Sequence, residues 1–201
     1  MPVEIREEAR FDPVAYGSVS IAFLVREIYA ASAPESGLGG ILLERQPVAR
    51  PYAKDYDAQP GNHPSDWIPR LDFGTWAVFG GWDGDRRVGG AMVVMGSSEI
   101  TLTGGRDDVG FLWDLRVAAN ARGQGIGRAL FDAARAWATT RGARWLQIET
   151  QNVNVPACRF YRRMGCELGE IRRFGYAAVP AVAHEVMLNW YLDLTAGERA
   201  R

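Results

Sequence analysis

Several residue types that build metal centres and disulfide frameworks are scarce in this sequence. Its 201 residues include two histidines and two cysteines, Cys158 and Cys166. Such a set provides neither a disulfide framework nor a zinc-binding pattern. We therefore expect no metal site, and we expect both thiols to serve as small packing groups.

An excess of one charge and a long apolar run are also missing. The formal net charge is −1 at pH 7, which provides no positive field for nucleic acid or for an anionic membrane. No apolar run reaches the roughly 18 residues of a transmembrane helix, and the first residues, MPVEIREEARFD, are charged. We expect a cytoplasmic protein without nucleic-acid or membrane partners. A strand near the C-terminus is compatible with a homodimer as well as a monomer.

The composition that is present is that of an ordinary globular protein, with 47% hydrophobic and 23% charged residues. The length fits a single domain over residues 1–201. Local patterns predict these elements in chain order: a strand at 3–10, a helix at 18–32, a long loop at 46–70 that is a candidate substrate lid, a hairpin at 75–96, a short strand or loop edge at 98–103, a strand at 109–119, a helix at 125–141, a strand at 144–151, a short helix at 155–165, and strands at 167–176 and 183–192. This order predicts an α/β (α+β) fold with a mixed, mostly antiparallel central sheet and few helices.

A glycine-rich loop, ARGQGIGRAL, lies between a predicted strand and a predicted helix. The unpaired N–H groups of such a loop and the dipole of the following helix favour a phosphate group. The phosphate loop of nucleotide hydrolases is excluded because it requires a lysine that is missing here. The dinucleotide fingerprint fails at its third glycine, where Leu130 stands, and too few residues follow for both halves of that fold.

Two motifs resemble those of the GNAT superfamily of N-acetyltransferases. The first is R-x-x-G-x-G in the glycine loop, and the second is Asn154-x-x-Ala157-x-x-x-Tyr161 on the short helix. The resemblance implies acetyl-CoA as cofactor and a sheet whose central strands splay apart. It assigns the pyrophosphate to Arg122, Gly123, Gln124, Gly125, Ile126, Gly127 and Arg128, and the pantetheine arm to the backbone of Leu115, Arg116 and Val117. It also implies that Asn154 bonds the pantetheine arm and that the Tyr161 hydroxyl lies near the cofactor sulfur.

Three further segments resemble streptothricin acetyltransferases, from about residue 50 to the C-terminus. They are PYAKDY at 51–56, IETQNVNVPACRFY at 148–161 and HEVMLNWY at 184–191. The resemblance implies that the acceptor is a small cationic molecule with a primary amine, such as an antibiotic of the streptothricin type. The resemblance also gives Tyr52 and Tyr56 a substrate-binding role in the predicted lid.

Transfer of an acetyl group to an amine requires an acid, a base and a stabilised oxyanion. Tyr161 is the candidate general acid, because a phenol can protonate a leaving thiolate. The backbone N–H of Val117 is the candidate oxyanion donor, because the resemblance implies a bulge in the strand before the glycine loop. The base is either Asp114 or Glu149. Strand alternation predicts that Asp114 and Trp113 lie on opposite faces of the strand. Trp113 and Glu149 are the candidate substrate contacts.

Two alternative functions remain open from the sequence. The same fold could acetylate peptide or protein amines, and a groove open on both sides of Tyr161 would favour that activity. A non-catalytic acyl-CoA sensor belongs to a different class of function. It would bind acetyl-CoA without turnover on any amine.

Overall fold

The computed structural model describes residues 3–67 and 73–196. Within these residues the strands are β1 (Glu4–Glu7), β2 (Phe23–Ser32), β3 (Leu42–Lys54), β4 (Trp76–Asp83), β5 (Arg86–Met95), β6 (Val109–Val117), β7 (Trp145–Gln151), β8 (Glu167–Arg172) and β9 (Met187–Asp193). The helices are α1 (Pro13–Gly17), α2 (Ile126–Thr140) and α3 (Val155–Arg163).

Seven of these strands form one sheet in the order β1-β4-β5-β6-β7-β9-β8, and β2 pairs with β3 in a separate sheet. The neighbours β1–β4, β4–β5, β5–β6 and β8–β9 are antiparallel. The predicted fold class, a mixed fold with a mostly antiparallel sheet and few helices, is therefore confirmed.

The chain divides into two compact units. The first contains Met1–Ala22, Asp55–Gln147 and Asp193–Arg201, and the second contains Phe23–Lys54 and Ile148–Leu192. The assignment of the whole chain to a single domain stays a prediction.

Helix α2 covers one face of the sheet in the first unit. It buries a stripe at helical spacing, formed by Ile126, Leu130, Phe131, Ala134, Trp137 and Ala138. Two glycines make room for this stripe. A Cβ atom on Gly89 would lie 2.9 Å from Leu130 Cδ1, and one on Gly110 would lie 2.9 Å from Ala138 Cβ. The close approach of the helix therefore depends on the absence of side chains at these two strand positions.

The opposite face of β4, β5 and β6 carries an aromatic cluster. Its buried residues are Tyr16, Trp67, Trp76, Val78, Met92, Val94, Ile100 and Phe111. Tyr16 comes from α1, which begins at Pro13 and is capped by the Asp12 side chain, whose Oδ1 accepts hydrogen bonds from two backbone N–H groups. The sequence patterns did not predict this short helix.

The predicted helix at 18–32 is wrong, because residues 23–32 form strand β2. Its partner β3, Leu42–Lys54, occupies the first part of the predicted 46–70 loop. Apolar residues at helical spacing suggested the helix. Pro47 and Pro51 favoured the prediction of a loop where β3 lies. The two strands form an exposed ribbon with a register shift between Val25 and Glu27. Prolines are tolerated in such edge positions. The short strand considered at 98–103 is instead a 3₁₀ turn at Thr101–Thr103.

Candidate active site

The glycine loop before α2 has the geometry of an anion cradle. Gly123 and Gly125 have positive φ angles of 79° and 87°, and a Cβ atom added to either would meet no atom within 4 Å. Gly125 is the N-cap of α2, no side chain caps the helix, and its first turn has no acidic residue. The first N–H groups of a helix lack intrahelical acceptors. The open space and the positive helix end therefore fit a pyrophosphate group.

Arg122 stabilises the glycine loop through hydrogen bonds to two backbone carbonyl groups. Its Nε donates to the carbonyl of Val117 and its Nη2 donates to the carbonyl of Ala22, each at 2.9 Å. Its guanidinium therefore fixes the loop to the end of β6. Gln124 and Arg128 are exposed, whereas Ile126 is buried in the α2 stripe. These positions, with Gly127, remain the proposed pyrophosphate contacts.

The backbone of β6 alternates between its two edges after a bulge. The N–H of Ala118 donates to the carbonyl of Val88 at 2.9 Å, so by alternation Arg116 also pairs with β5. The N–H groups of Leu115 and Val117 are directed away from β5. Val117 and Leu115 therefore keep the backbone orientation expected for an oxyanion donor and a pantetheine contact, whereas the Arg116 backbone faces β5.

The bulge in β6 lies at Trp113 rather than at Val117. Met92 pairs with Asp114 but Val93 pairs with Leu112, so Trp113 is the extra residue. A bulge lets two consecutive side chains lie on the same side of a strand. The Trp113 ring lies 6.0 Å from the Trp67 ring, in the same aromatic cluster whose Tyr16 bonds Asp114. The expectation of opposite faces for Trp113 and Asp114 is wrong for this reason.

Asp114 and Arg116 belong to a fully paired buried network. The five N–H donors of Arg116 reach Asp114 through Nε and Nη2 at 2.9 and 2.8 Å, Asp57 through Nη1 and Nη2 at 2.9 and 3.1 Å, and the carbonyl of Val19 at 3.1 Å. Tyr16 donates its O–H to Asp114 Oδ1 at 2.7 Å. The network ties two loops to β6, which is a structural role.

The charges in this network reinforce each other. Burial alone would lower the pKa of Arg116, but the Asp114 carboxylate outweighs it and raises that pKa. Burial also raises the pKa of Tyr16 well above its ordinary value, and the charge of Asp114 adds to the effect. Arg116 therefore stays ionised, and Tyr16 stays a hydrogen-bond donor.

In the second unit, the second motif lies at the start of α3 and on its buried side. Asn154 is the N-cap, and its Oδ1 accepts the N–H of Ala157 at 3.1 Å. Tyr161 is buried two turns later, with its ring 5.4 Å from that of Phe160. Cys158 is buried on the same helix, and burial raises the pKa of its thiol to about 12. A thiol in that state is not an activated nucleophile.

Glu149 on β7 is a half-buried carboxyl group with one occupied oxygen. Its Oε1 accepts hydrogen bonds from the hydroxyl of Tyr176 and, at 3.4 Å, from the side-chain amide of Gln151. Burial raises the pKa of Glu149 to about 7, the Tyr176 hydrogen bond lowers it, and the negative charge of Glu185 raises it. Near neutral pH this carboxyl group can therefore both accept and release a proton.

Glu185, which precedes β9, is the second carboxylate near Glu149. Its Oε1 binds the Nζ of Lys54, at the end of β3, and both side chains are almost completely buried. The other oxygen, Glu185 Oε2, is buried and has no hydrogen-bond partner among the described residues. Burial raises the pKa of Tyr52, and the charge of Glu185 adds to the effect. The sequence analysis missed Tyr176 and Glu185, although Lys54 was visible as the single lysine of the chain.

The two tyrosines assigned to a substrate lid lie in different parts of the chain. Tyr52 is an exposed residue of β3 in the second unit, whereas Tyr56 is half-buried in the 55–67 loop of the first unit. The structure therefore does not make 46–70 one continuous loop. Their substrate contacts stay a proposal.

Residues 3–67 and 73–196 contain neither a metal-binding cluster nor a membrane-spanning helix. No group of three or more His, Cys, Asp or Glu side chains in this part of the chain could hold a metal ion. The Nδ1 of His63 instead accepts the N–H of Ser65 at 3.2 Å and caps a 3₁₀ turn. None of the helices described there has the length and hydropathy to cross a membrane.

Comparisons with known proteins agree on one family. Residues 42–166 match the Acetyltransferase (GNAT) family. The streptothricin acetyltransferase of Escherichia coli is 28% identical over 169 residues, which cover 84% of this chain and 84% of that protein.

Two solved structures share the fold over 96% of this chain. A nourseothricin acetyltransferase superposes with a TM-score of 0.75 at 26% identity, over 98% of its own chain. A Bacillus anthracis acetyltransferase in complex with acetyl coenzyme A superposes with a TM-score of 0.73 at 21% identity, over 99% of its own chain. The family match spans most of the chain, and the glycine loop has the shape and polarity that an anionic cofactor requires. The chain therefore belongs to the Acetyltransferase (GNAT) family and is an N-acetyltransferase that uses acetyl-CoA.

Proposed function

We propose that this enzyme acetylates a primary amine of a small cationic acceptor, and that the acceptor is an antibiotic of the streptothricin type. The observation that carries the acceptor class is the Glu149 carboxyl group, which lies beside the Lys54–Glu185 ion pair in the second unit. Negative charge of this kind attracts an ammonium group. The similarity to a streptothricin acetyltransferase along 84% of both chains supports the antibiotic.

Glu149 is the proposed general base. A free alkyl amine has a pKa of about 10 and is almost wholly protonated at neutral pH, so a base must accept its proton. With a pKa of about 7, Glu149 is well matched to this task. Asp114, the other candidate, has both carboxylate oxygens bound by Arg116, and one of them also by Tyr16. We therefore assign Asp114 to the structure of β6 and Glu149 to proton transfer.

Several residues remain proposed for the other steps. Tyr161 is the proposed general acid, and the N–H of Val117 is the proposed donor to the developing oxyanion. The loop from Arg122 to Arg128, with Leu115 and Asn154, is proposed to hold the cofactor. Acetyl-CoA, when bound, supplies an activated acetyl thioester. Cys158 is buried with a raised pKa, which supports direct attack by the amine without an acetylated enzyme.

Action in the cytoplasm is also part of the proposal. Both cysteines are free and buried, which is compatible with a reducing compartment.

Release of coenzyme A, followed with a thiol reagent, tests the acceptor. The assay compares streptothricin with a simple diamine, a peptide carrying a free N-terminal amine, and no acceptor. We expect release with streptothricin at a kcat/KM at least about tenfold above that with the diamine, a difference of about 1.4 kcal/mol in transition-state binding. Preferential release with the peptide would replace the proposed acceptor. Binding of acetyl-CoA without release on any amine would contradict the proposed function.

A further inference from the structure

The 173–186 segment between β8 and β9 reaches the Glu149 carboxylate. The segment is a chain of tight turns held by its own backbone, with N–H to carbonyl bonds from Gly175 to Arg172, from Val179 to Tyr176 and from Glu185 to Val182 at 2.9–3.2 Å. These bonds give the segment a defined conformation.

Close packing fixes the segment beside Tyr176. A Cβ atom on Gly175 would lie 2.8 Å from Met187 Cβ, so only glycine allows this approach to β9. The next residue, Tyr176, directs its hydroxyl group to Glu149 Oε1. The position of the hydroxyl is therefore set by the backbone of the segment and by its contact with β9.

The two oxygens of Glu149 have different surroundings. Oε1 accepts hydrogen bonds from Tyr176 and Gln151. In the described part of the chain, no residue donates a hydrogen bond to Oε2. One oxygen is thus anchored and the other is available to a ligand, which is the arrangement that a directional base requires.

We propose that Tyr176 is a positioning residue for the acetyl transfer: its hydroxyl group anchors Oε1 of Glu149 so that Oε2 takes the proton of the acceptor amine. The proposal rests on Glu149 as the general base of the proposed function. The proton moves from the amine nitrogen to Oε2, and Tyr176 keeps its own proton throughout. Tyr176 therefore acts through Glu149 and does not itself react.

The groups around Glu149 make the proposal testable by pH. Among the described residues, these groups are Tyr176, Gln151, and Glu185 with its partner Lys54. The Tyr176 hydrogen bond lowers the pKa of Glu149, whereas the charge of Glu185 raises it. Removal of these two groups should therefore shift the pH dependence of the reaction in opposite directions.

The experiment measures kcat/KM for streptothricin against pH in the full-length wild-type enzyme, in Glu149→Gln and in three further variants. Tyr176→Phe should move the acidic limb upward by about one pH unit. Glu185→Gln should move the same limb downward. Tyr191→Phe is the matched control, since its ring lies against Gly169 on the neighbouring strand, and it should leave the limb in place.

The outcomes separate the positioning role from a structural one. A folding defect would lower kcat/KM by a similar factor at every pH. The proposed role predicts instead that the kcat/KM of Tyr176→Phe approaches the wild-type value at alkaline pH. An unmoved limb in Tyr176→Phe would overturn the proposal. If Glu149→Gln loses the limb at the same time, the proposed base stands without Tyr176. If Glu149→Gln keeps it, the base and the positioning role both fall.

Discussion

The two units of this acetyltransferase each hold a carboxylate cluster, and the two clusters differ in how completely they are paired. Asp114 in the first unit is bound at both oxygens and lies in a network in which every N–H of Arg116 has an acceptor. Glu149 in the second unit has one anchored oxygen and a pKa raised to about 7. The same kind of side chain therefore serves structure in one place and is the proposed proton acceptor in the other.

The difference follows from the partners that each fold region supplies. In the first unit, the guanidinium group of Arg116 binds the carboxylates of Asp114 and Asp57, and these ion pairs offset the cost of burying the charges. Around Glu149 the chain supplies a phenol, an amide and a second carboxylate instead. These groups hold the carboxyl group without neutralising it, so it keeps a proton affinity suited to neutral pH.

The largest expected effect is on catalysis by the half-paired carboxylate. Glu149→Gln keeps the size of the side chain and removes its basicity, so kcat should fall by about 10²–10⁴-fold. Steady-state kinetics with streptothricin measure the change, and calorimetry should show acetyl-CoA affinity close to that of the wild type. An unchanged kcat would remove Glu149 from proton transfer.

The next effect concerns the proposed general acid. Tyr161→Phe should lower kcat by about 10²-fold, because the hydroxyl proton is lost while the buried ring remains. Binding of acetyl-CoA, measured by calorimetry, should be nearly unaffected. Phe160→Leu on the same helix is the control for packing. A full wild-type kcat in Tyr161→Phe would assign the hydroxyl group a purely structural role.

The cofactor loop provides a contrast between two ends of one helix. Gly125→Val should reduce acetyl-CoA affinity by about tenfold or more, because a side chain would occupy the open space and strain the positive φ. Gly142→Val is the matched control, since Gly142 has a φ of 81° at the other end of α2 and open space around it. Equal loss of cofactor affinity in both variants would indicate general strain rather than a pyrophosphate site.

The fully paired carboxylate should respond in stability instead. Asp114→Ala leaves Arg116 and Tyr16 buried without their principal partner, so the free energy of unfolding should fall by about 3 kcal/mol or more. Urea unfolding measures the change. A loss below about 1 kcal/mol would show that the network contributes little.

The last effect is the pH dependence of stability. The pKa of Glu149 is raised on folding from its ordinary 4.5 to about 7. The stabilisation from its protonated form is fully present below pH 4.5 and is lost as pH rises through 7. The unfolding free energy of the wild type should therefore decline over this window relative to Glu149→Gln. Parallel curves for the two proteins would contradict the raised pKa.

Sequence patterns predicted the elements whose periodicity is local. The helix α2, the short helix α3 and the β4–β5 hairpin all depend on residues close in the chain, and the structure confirms them. Strand β2 was mistaken for a helix because its partner β3 is contributed by residues that begin ten positions later and contain prolines. Tertiary pairing overrides local spacing in such a ribbon.

The candidate site was predictable to the same extent. The glycine loop and the Asn154–Tyr161 motif are contiguous signals, whereas the bulge at Trp113 reverses strand alternation without any mark in the sequence. Tyr176 lies 27 positions from Glu149 in a segment without periodicity. Its contact with the carboxylate could be found only from the fold.

The pH dependence of kcat/KM with streptothricin, compared between the wild type, Glu149→Gln and Asp114→Asn, tests the central claim most directly. The account predicts an acidic limb with an apparent pKa near 7 in the wild type, its loss in Glu149→Gln and its retention in Asp114→Asn. Retention in Glu149→Gln with loss in Asp114→Asn would exchange the roles of the two carboxylates and contradict the account.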